Sequence, residues 1–402
     1  MNPARPRVFY LAWTVPGQRG GACLALHRHF LLHDDFDVFL ASSASFHSER
    51  IPSLRIARHP ALVRASNTRF ARMVRQFEML VEPVWAVRQV EAACRKFRPA
   101  FIFTVPDNTL SWTAALLARR ARLPLITNFQ DWWPRGQFTL RLEQPYAPTR
   151  VLLERRFHQL YAGSALAFCT SEGMREALGP HPNARILYPT AAPRDPGFQP
   201  NFCPPPGGRP LRLLYAGTIV NRYGRSVLEL ARALRNRRDI IFQVYGPPPD
   251  WPASDRAWME AEGVYRGLLP YAALRQHLLE ADAFLTVMSF DPALEVMMRT
   301  SFTTKFLEYC QYGKPVVVWG PDYCQPVQVA RREGAGLPVT VADPSVVVQA
   351  LETLHQSDRW RQLAEGSWRA ATGVFDHENI HAGFKQAVVE LLHQRGSTRI
   401  AA

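Results

Sequence analysis

Apolar and polar positions fall into two alternating kinds of stretch along this 402-residue chain. Short runs such as VVVW before Gly320 are apolar throughout, and LITNF at Leu125–Phe129 is apolar at three of five positions, while the longer stretches between them repeat apolar residues every three or four positions. All-apolar short runs suit strands covered on both faces of a parallel sheet, and the longer period suits the helices that cover them. On this reading the first half carries strands at Arg7–Trp13, Phe36–Ser42, Ala100–Val105, Leu125–Phe129, Ala165–Thr170 and Arg185–Tyr188. The second half carries them at Leu211–Ala216, Ile240–Tyr245, Gly263–Gly267, Ala283–Met288, Pro315–Trp319 and Leu337–Val341. The pattern predicts an α/β protein of two doubly wound, Rossmann-like domains. Between them the run PGFQPNFCPPPGGRP is dense in proline and glycine and reads as an extended linker. The expected division is 1–195 for the first domain, 196–210 for the linker and 211–375 for the second domain. An amphipathic helix and polar tail at 376–402 could cross back to the first.

Composition narrows the class. With 47% hydrophobic and 20% charged residues the chain is globular, and no run approaches the roughly 20 apolar residues of a membrane span. The N-terminus has no separate apolar signal core, so a cytoplasmic location is expected. The six cysteines are scattered without a CxxC pair, and buried free thiols are the expectation. The charge is unevenly spread. Residues 1–195 hold 26 Lys+Arg against 14 Asp+Glu, or +12, which leaves +2 of the total +14 for the rest. An anionic partner for the first half follows, whether an anionic membrane surface, a phosphorylated acceptor or nucleic acid. The basic half has no zinc-finger, RNP or helix-turn-helix signature, so nucleic acid is not expected.

Candidate chemistry concentrates in Ser301–Gly320, SFTTKFLEYCQYGKPVVVWG, read as helix, tight turn and buried strand. Lys305 and Glu308 are three apart and share one side of the helix. Beside Thr304, near the carboxyl ends of the strands, Lys305 suits a phosphate and Glu308 a ribose. After the first strand of the second domain, Gly217 permits close approach, while Arg222 and Arg225 near a helix start favour an anion. Gly20 and Gly21 close a PGQRGG loop ahead of a helix in the first domain; a phosphate loop and a plain strand–helix turn both fit it. Gln130, Asp131, Trp132 and Trp133 follow a buried strand, where a sugar platform and a capped turn with space-filling indoles are equally served. Asp107, beyond the Ala100–Val105 strand, is placed on the same acceptor side. Between His59 and Arg98, Arg69, Arg72 and Arg75 repeat every three residues opposite Phe70, Met73, Val74, Phe77 and Leu80. A helix packed on its domain and one docked on anionic lipid both suit that pattern. Asp35 and Asp37 form a DxD-like pair ahead of a strand, and no metal is expected from them.

In this order AGTIVNRYG, LLPYAALRQHLLEADAFLTVM and TKFLEYCQYGKPVVV resemble the GT-B glycosyltransferases, specifically the retaining family-four type, over almost the whole chain. TSEGMREALG and RILYPTAAP resemble the close of that family's first domain. The resemblance implies two domains facing across a cleft, and transfer of a sugar from a nucleotide-sugar donor to a sugar, lipid-linked or small-molecule hydroxyl acceptor with retention. It assigns Glu308 to the donor ribose, Lys305 with Arg222 to the donor diphosphate, and the Gly20-Gly21 loop to the other side of that diphosphate. Lys305, Arg222 and Asp131 are the catalytic candidates, with no cofactor and no metal. The chain departs from the family pattern at Thr300, eight before Glu308, where a second glutamate is common, and Glu295 is out of register. Thr218 and Tyr223 replace a usual Arg and Lys, and Gln130 a usual His. A GT-B-shaped nucleotide-sugar epimerase and a catalytically silent sugar-nucleotide binder are the alternatives.

Overall fold

The computed structural model describes residues 5–17, 20–136, 144–195 and 197–400, with side chains as far as Arg395. Gln18 and Arg19 of the glycine loop, Pro196 at the head of the linker and the last two residues of the tail lie outside the described residues. By contacts the chain divides into two compact units, Met1–Pro189 with Ile380–Ala402, and Thr190–Asn379.

Unit 1 is built on a seven-stranded parallel sheet of order β3-β2-β1-β4-β5-β6-β7. Its strands are β1 (Arg7–Leu11), β2 (Asp37–Ser42), β3 (Ser53–Arg55), β4 (Phe101–Thr104), β5 (Leu125–Phe129), β6 (Leu166–Cys169) and β7 (Ala184–Ile186). The helices are α1 (Gly21–His27), continued by a π-turn at Arg28–Leu32, then α2 (Pro60–Ala65), α3 (Ala71–Phe97), α4 (Leu110–Ala121), α5 (Ala147–Ala162) and α6 (Glu172–Leu178). β4, β5 and β6 are buried at every residue, the polar Thr104, Thr127 and Asn128 included. The last helix of the chain, His377–Ile400, closes this core. Its Phe384 lies 5.1 Å from Phe168 and 5.6 Å from Phe30 between ring centroids, and Val388 is fully buried beside it.

Unit 2 carries a five-stranded parallel sheet of order β12-β11-β10-β8-β9. Its strands are β8 (Leu211–Ala216), β9 (Ile240–Tyr245), β10 (Ala283–Val287), β11 (Val316–Trp319) and β12 (Leu337–Val339). The helices are α7 (Asn221–Leu234), α8 (Ala253–Ala261), α9 (Tyr271–Glu280), α10 (Glu295–Thr300), α11 (Thr304–Cys310), α12 (Gln325–Glu333), α13 (Pro344–Glu352) and α14 (Ser357–Thr372), with the closing helix as α15. The strand expected at Gly263–Gly267 is reduced to one bridge, Tyr265 against Val244. Both flanking glycines have positive φ, 67° and 76°, so the chain bends away on either side of Tyr265.

The proline-rich stretch has neither helix nor strand among its described residues, and its end is pinned to unit 2. Arg209 donates to both carboxylate oxygens of Asp282, at 2.6 and 2.7 Å, and Asp282 also accepts the Arg212 N–H at 2.8 Å. Residues 190–195, read from the sequence as the end of the first domain, group with unit 2, where Gln311 donates to the Ala192 carbonyl at 2.6 Å. All six cysteines are free thiols; four are buried, Cys23 is partly so, and Cys203 in the proline-rich stretch is exposed, against expectation.

Candidate active site

At the carboxyl end of β8 the chain turns at Gly217, whose N–H donates to the Tyr245 carbonyl at 2.8 Å and whose φ is 144°. A Cβ there would lie 1.9 Å from Cε of Lys305 and 2.9 Å from Nζ, so the lysine passes through space that only glycine leaves open. α11, which carries Lys305, is held to the same turn from its other side. Tyr309 accepts the Ala216 N–H at 2.8 Å, donates to the Ala216 carbonyl at 3.0 Å, and stacks on Phe284 with centroids 4.6 Å apart. Gly246, at the end of β9, presses against Gly217, because a Cβ on it would stand 2.2 Å from the Gly217 carbonyl oxygen.

These elements enclose a cavity of about 170 Å³ lined by Gly217, Gly246, Tyr271, Lys305, Glu308 and Tyr312, among others. Lys305 and Glu308 therefore open on one space, as their spacing predicts. Burial pulls the Lys305 pKa down to about 8, opposed by the nearby Glu308 carboxylate. Its ammonium lies 5.4 Å from the Tyr215 ring centroid and 5.6 Å from that of Tyr223. Arg222, the second residue of α7, stands over the same Tyr223 ring at 4.8 Å, and its Nε is buried without a hydrogen-bond partner. Two cations thus flank one tyrosine, Tyr223. The start of α7 is fixed by the Asn221 N–H, which donates to Asp250 at 2.8 Å, and by Trp251, which donates to the Gly224 carbonyl at 2.7 Å.

The other residues proposed for this side are placed differently. Arg225 is exposed and paired with Glu229 at 3.0 Å, one turn along α7. Thr304 is the first residue of α11 and is partly buried. Thr300 is buried at the end of α10 and donates to the Val296 carbonyl at 2.7 Å, a bond within its own helix. Glu295, out of register in the sequence, pairs with Arg299 at 2.7 Å. Gly246, Tyr271 and Tyr312 were not anticipated. They come from the end of β9, the first turn of α9 and the turn after α11, so no local pattern joins them.

In unit 1, Asp107 lies beyond β4 and accepts the backbone N–H of Thr14, past β1, at 2.7 Å. Its Oδ1 is buried without a partner, and burial raises its pKa to about 6. Its charge also helps raise the Cys23 pKa, after burial itself, which places the carboxylate beside the first turn of α1. Gly20 precedes that turn with φ 82°, and Gly21 is its first residue. Asp131 is exposed and its carbonyl accepts the Trp133 N–H at 2.9 Å, while Gln130 is partly buried beside it. Trp132 is only 5% exposed and packs on Phe157 and His158, at 5.2 and 5.4 Å, so this indole fills space beneath the turn. Trp133 meets Trp112 edge to face at 5.7 Å.

The basic stretch forms α2 and α3, and its apolar set is only partly packed away, with Val74 and Leu80 half-buried. Phe70, Met73 and Phe77 are 51%, 61% and 55% exposed. Arg69 and Arg72 lie over the rings of Phe70 and Tyr146. Arg75 instead donates to Glu78 at 2.6 Å, where Arg58 also binds. Burial, which acts to raise the Glu78 pKa, is outweighed by these two arginines, and the carboxylate is held below its usual range.

Two doubly wound parallel sheets, of seven and five strands, give the chain the GT-B fold. The sequence profile described as "Glycosyl transferase 4-like domain" matches residues 33–188. That matched stretch lies within the first unit, and the chain as a whole has the GT-B fold. Among solved structures it resembles sucrose-phosphate synthase from Thermosynechococcus elongatus, with TM-score 0.66 and 15% identity over 97% of this chain and 100% of that one. It also resembles HepE of Anabaena, solved with UDP-glucose, with TM-score 0.63 and 13% identity over 96% and 99% of the two chains. WaaG, a glycosyltransferase involved in lipopolysaccharide biosynthesis, follows with TM-score 0.56 and 13% identity over 94% and 98%. No protein of curated function matches the sequence.

Proposed function

We propose that the chain moves a sugar from a nucleotide-sugar donor to a hydroxyl acceptor with retention of configuration, and that the donor's nucleoside diphosphate occupies the unit 2 cavity. The observation that carries this is Lys305, threaded beneath Gly217 to face the same space as Glu308. As the sugar–phosphate bond breaks, negative charge grows on the diphosphate, and cations already in place stabilise it where it appears. Lys305 and Arg222 serve that role, and Glu308 accepts the ribose hydroxyls. The structure of HepE with UDP-glucose supports a nucleotide-sugar as donor. The departing phosphate helps to deprotonate the acceptor hydroxyl, and exclusion of water lets that hydroxyl compete.

The acceptor is assigned to unit 1, with Asp107 beside it. The exposed apolar stripe of α3, flanked by Arg69 and Arg72, supports an acceptor on an anionic membrane. Among the described residues no helix is long and apolar enough to cross a membrane, so this association is peripheral. Incubating the protein with a panel of nucleotide-sugars, with and without hydroxyl acceptors, tests the assignment. Acceptor-dependent release of nucleoside diphosphate is expected; conversion of the donor to an epimer without acceptor would replace transfer by epimerisation.

A further inference from the structure

Three residues that the transfer reaction does not use converge at the other end of unit 1. His33 follows the π-turn after α1, Asp35 precedes β2, and His381 lies near the start of α15. One ring nitrogen from each histidine and one carboxylate oxygen of Asp35 all lie within 4.8 Å of one another. The two imidazoles stack with centroids 3.7 Å apart and an 11° angle between planes. We propose that His33, Asp35 and His381 form a binding site for one divalent transition-metal cation of the Zn²⁺ type, which clips α15 to the segment before β2.

Two imidazoles and a carboxylate suit such a cation, with water completing a tetrahedron. Metal–ligand bonds of about 2.0–2.2 Å place neighbouring ligand atoms roughly 3.3 Å apart, so the widest separation closes by about 1.5 Å and the stacked rings turn to bring both lone pairs to the ion. The surroundings are those that orient ligands. Nδ1 of His381 lies 3.2 Å from Nδ1 of the buried His29, and Lys385 holds the other oxygen of Asp35 at 2.5 Å. Nε2 of His381 stands 2.9 Å from Asp35 Oδ2, a hydrogen bond whose proton a bound cation replaces. The site is structural and independent of donor binding in the other unit.

The test uses untagged full-length protein, stripped with chelator and titrated with Zn²⁺ and Co²⁺ by calorimetry and visible absorption. We expect one equivalent bound, a tetrahedral Co²⁺ spectrum, and a rise of a few degrees in the unfolding midpoint with Zn²⁺. His33→Ala and Asp35→Asn should each weaken binding about tenfold or more. Absence of binding by the wild type, or affinity unchanged in both His33→Ala and Asp35→Asn, would overturn the proposal. Nucleoside diphosphate binding measured on the stripped protein should be unaltered, so a failure here leaves the transfer reading standing, and the reverse.

Discussion

Lys305 occupies the volume in which a Cβ on Gly217 would stand, 1.9 Å from its Cε, and this makes the cation's position depend on a residue with no side chain. Gly217→Ala has two costs: the methyl group collides with Lys305, and φ 144° is strained for alanine. Fold stability is set elsewhere, by the buried strands on either side. We expect Gly217→Ala to weaken nucleoside diphosphate binding about as much as Lys305→Met does, with the far-ultraviolet circular dichroism spectrum retained. Calorimetry showing normal affinity for Gly217→Ala would mean that Lys305 is not held by this contact.

The lowered Lys305 pKa has a second consequence. A lysine whose folded pKa is about 8, below its ordinary 10.5, binds its proton less tightly when folded. Its burial therefore costs most at low pH, and the penalty is relieved as pH rises through 8 towards 10.5. A diphosphate prefers the charged form. Affinity should thus hold steady below about pH 7.5 and fall up to tenfold per unit above 8, with proton uptake on binding near pH 8. Calorimetry in buffers of different ionisation enthalpy reads that uptake directly. Lys305→Met should remove both effects; an unchanged pH profile in that variant would assign the titration to another group.

Glu308 separates nucleoside from phosphate recognition. Glu308→Gln keeps the shape and replaces one strong acceptor oxygen by a donor. Affinity for nucleoside diphosphate should drop by about ten- to a hundredfold, the loss of a charge-assisted bond. Inorganic pyrophosphate should bind almost as before. Equal losses for the two ligands would remove Glu308 from the ribose.

Asp107 makes a prediction for unit 1. Its folded pKa of about 6 lies above the ordinary 3.8, so the folded state holds the proton more tightly. This group therefore adds stability below pH 4, and the contribution is lost as pH rises to about 6. Asp107→Asn should flatten that part of the denaturation profile. If Asp107 accepts a hydrogen bond from the acceptor hydroxyl, the same variant should raise KM for the acceptor and leave donor binding unchanged. An unaltered acceptor KM would leave Asp107 a structural residue.

The stripe on α3 is tested with vesicles. Because Arg75 is committed to Glu78, the informative variants are Arg69→Gln with Arg72→Gln, and Phe70→Ser with Met73→Ser. Each basic residue near an anionic surface adds about 1 kcal/mol of attraction that salt screens. Wild type should co-sediment with anionic but not neutral liposomes at low salt, and both double variants should stay in solution. Wild type that ignores anionic liposomes would return the stripe to a soluble anionic acceptor.

Much of the architecture was legible because the decisive strands are short, mostly apolar runs with a proline or glycine at one end or both. Leu125–Phe129, Leu211–Ala216 and Ile240–Tyr245 fall at their expected bounds. β3 was not foreseen, since Ser53–Arg55 is a three-residue edge strand with no apolar run. Lys305 and Glu308 could be paired from spacing alone, since one helix carries both. The Gly217–Gly246 approach and the His33–Asp35–His381 cluster join residues 29 and 346 positions apart, where no local pattern reports proximity. For Asp131-Trp132-Trp133, a platform and a filled turn need the same residues, and only burial tells them apart.

The diphosphate site itself is tested most directly by titrating a panel of nucleoside diphosphates into wild-type protein and Lys305→Met, and following transferase turnover in both. Lys305→Met should lose about 1.5–3 kcal/mol of transition-state stabilisation, or roughly ten- to a hundredfold in turnover, with correspondingly weaker product binding. Wild-type turnover and nucleoside diphosphate affinity in Lys305→Met would place the leaving group somewhere other than beneath Gly217.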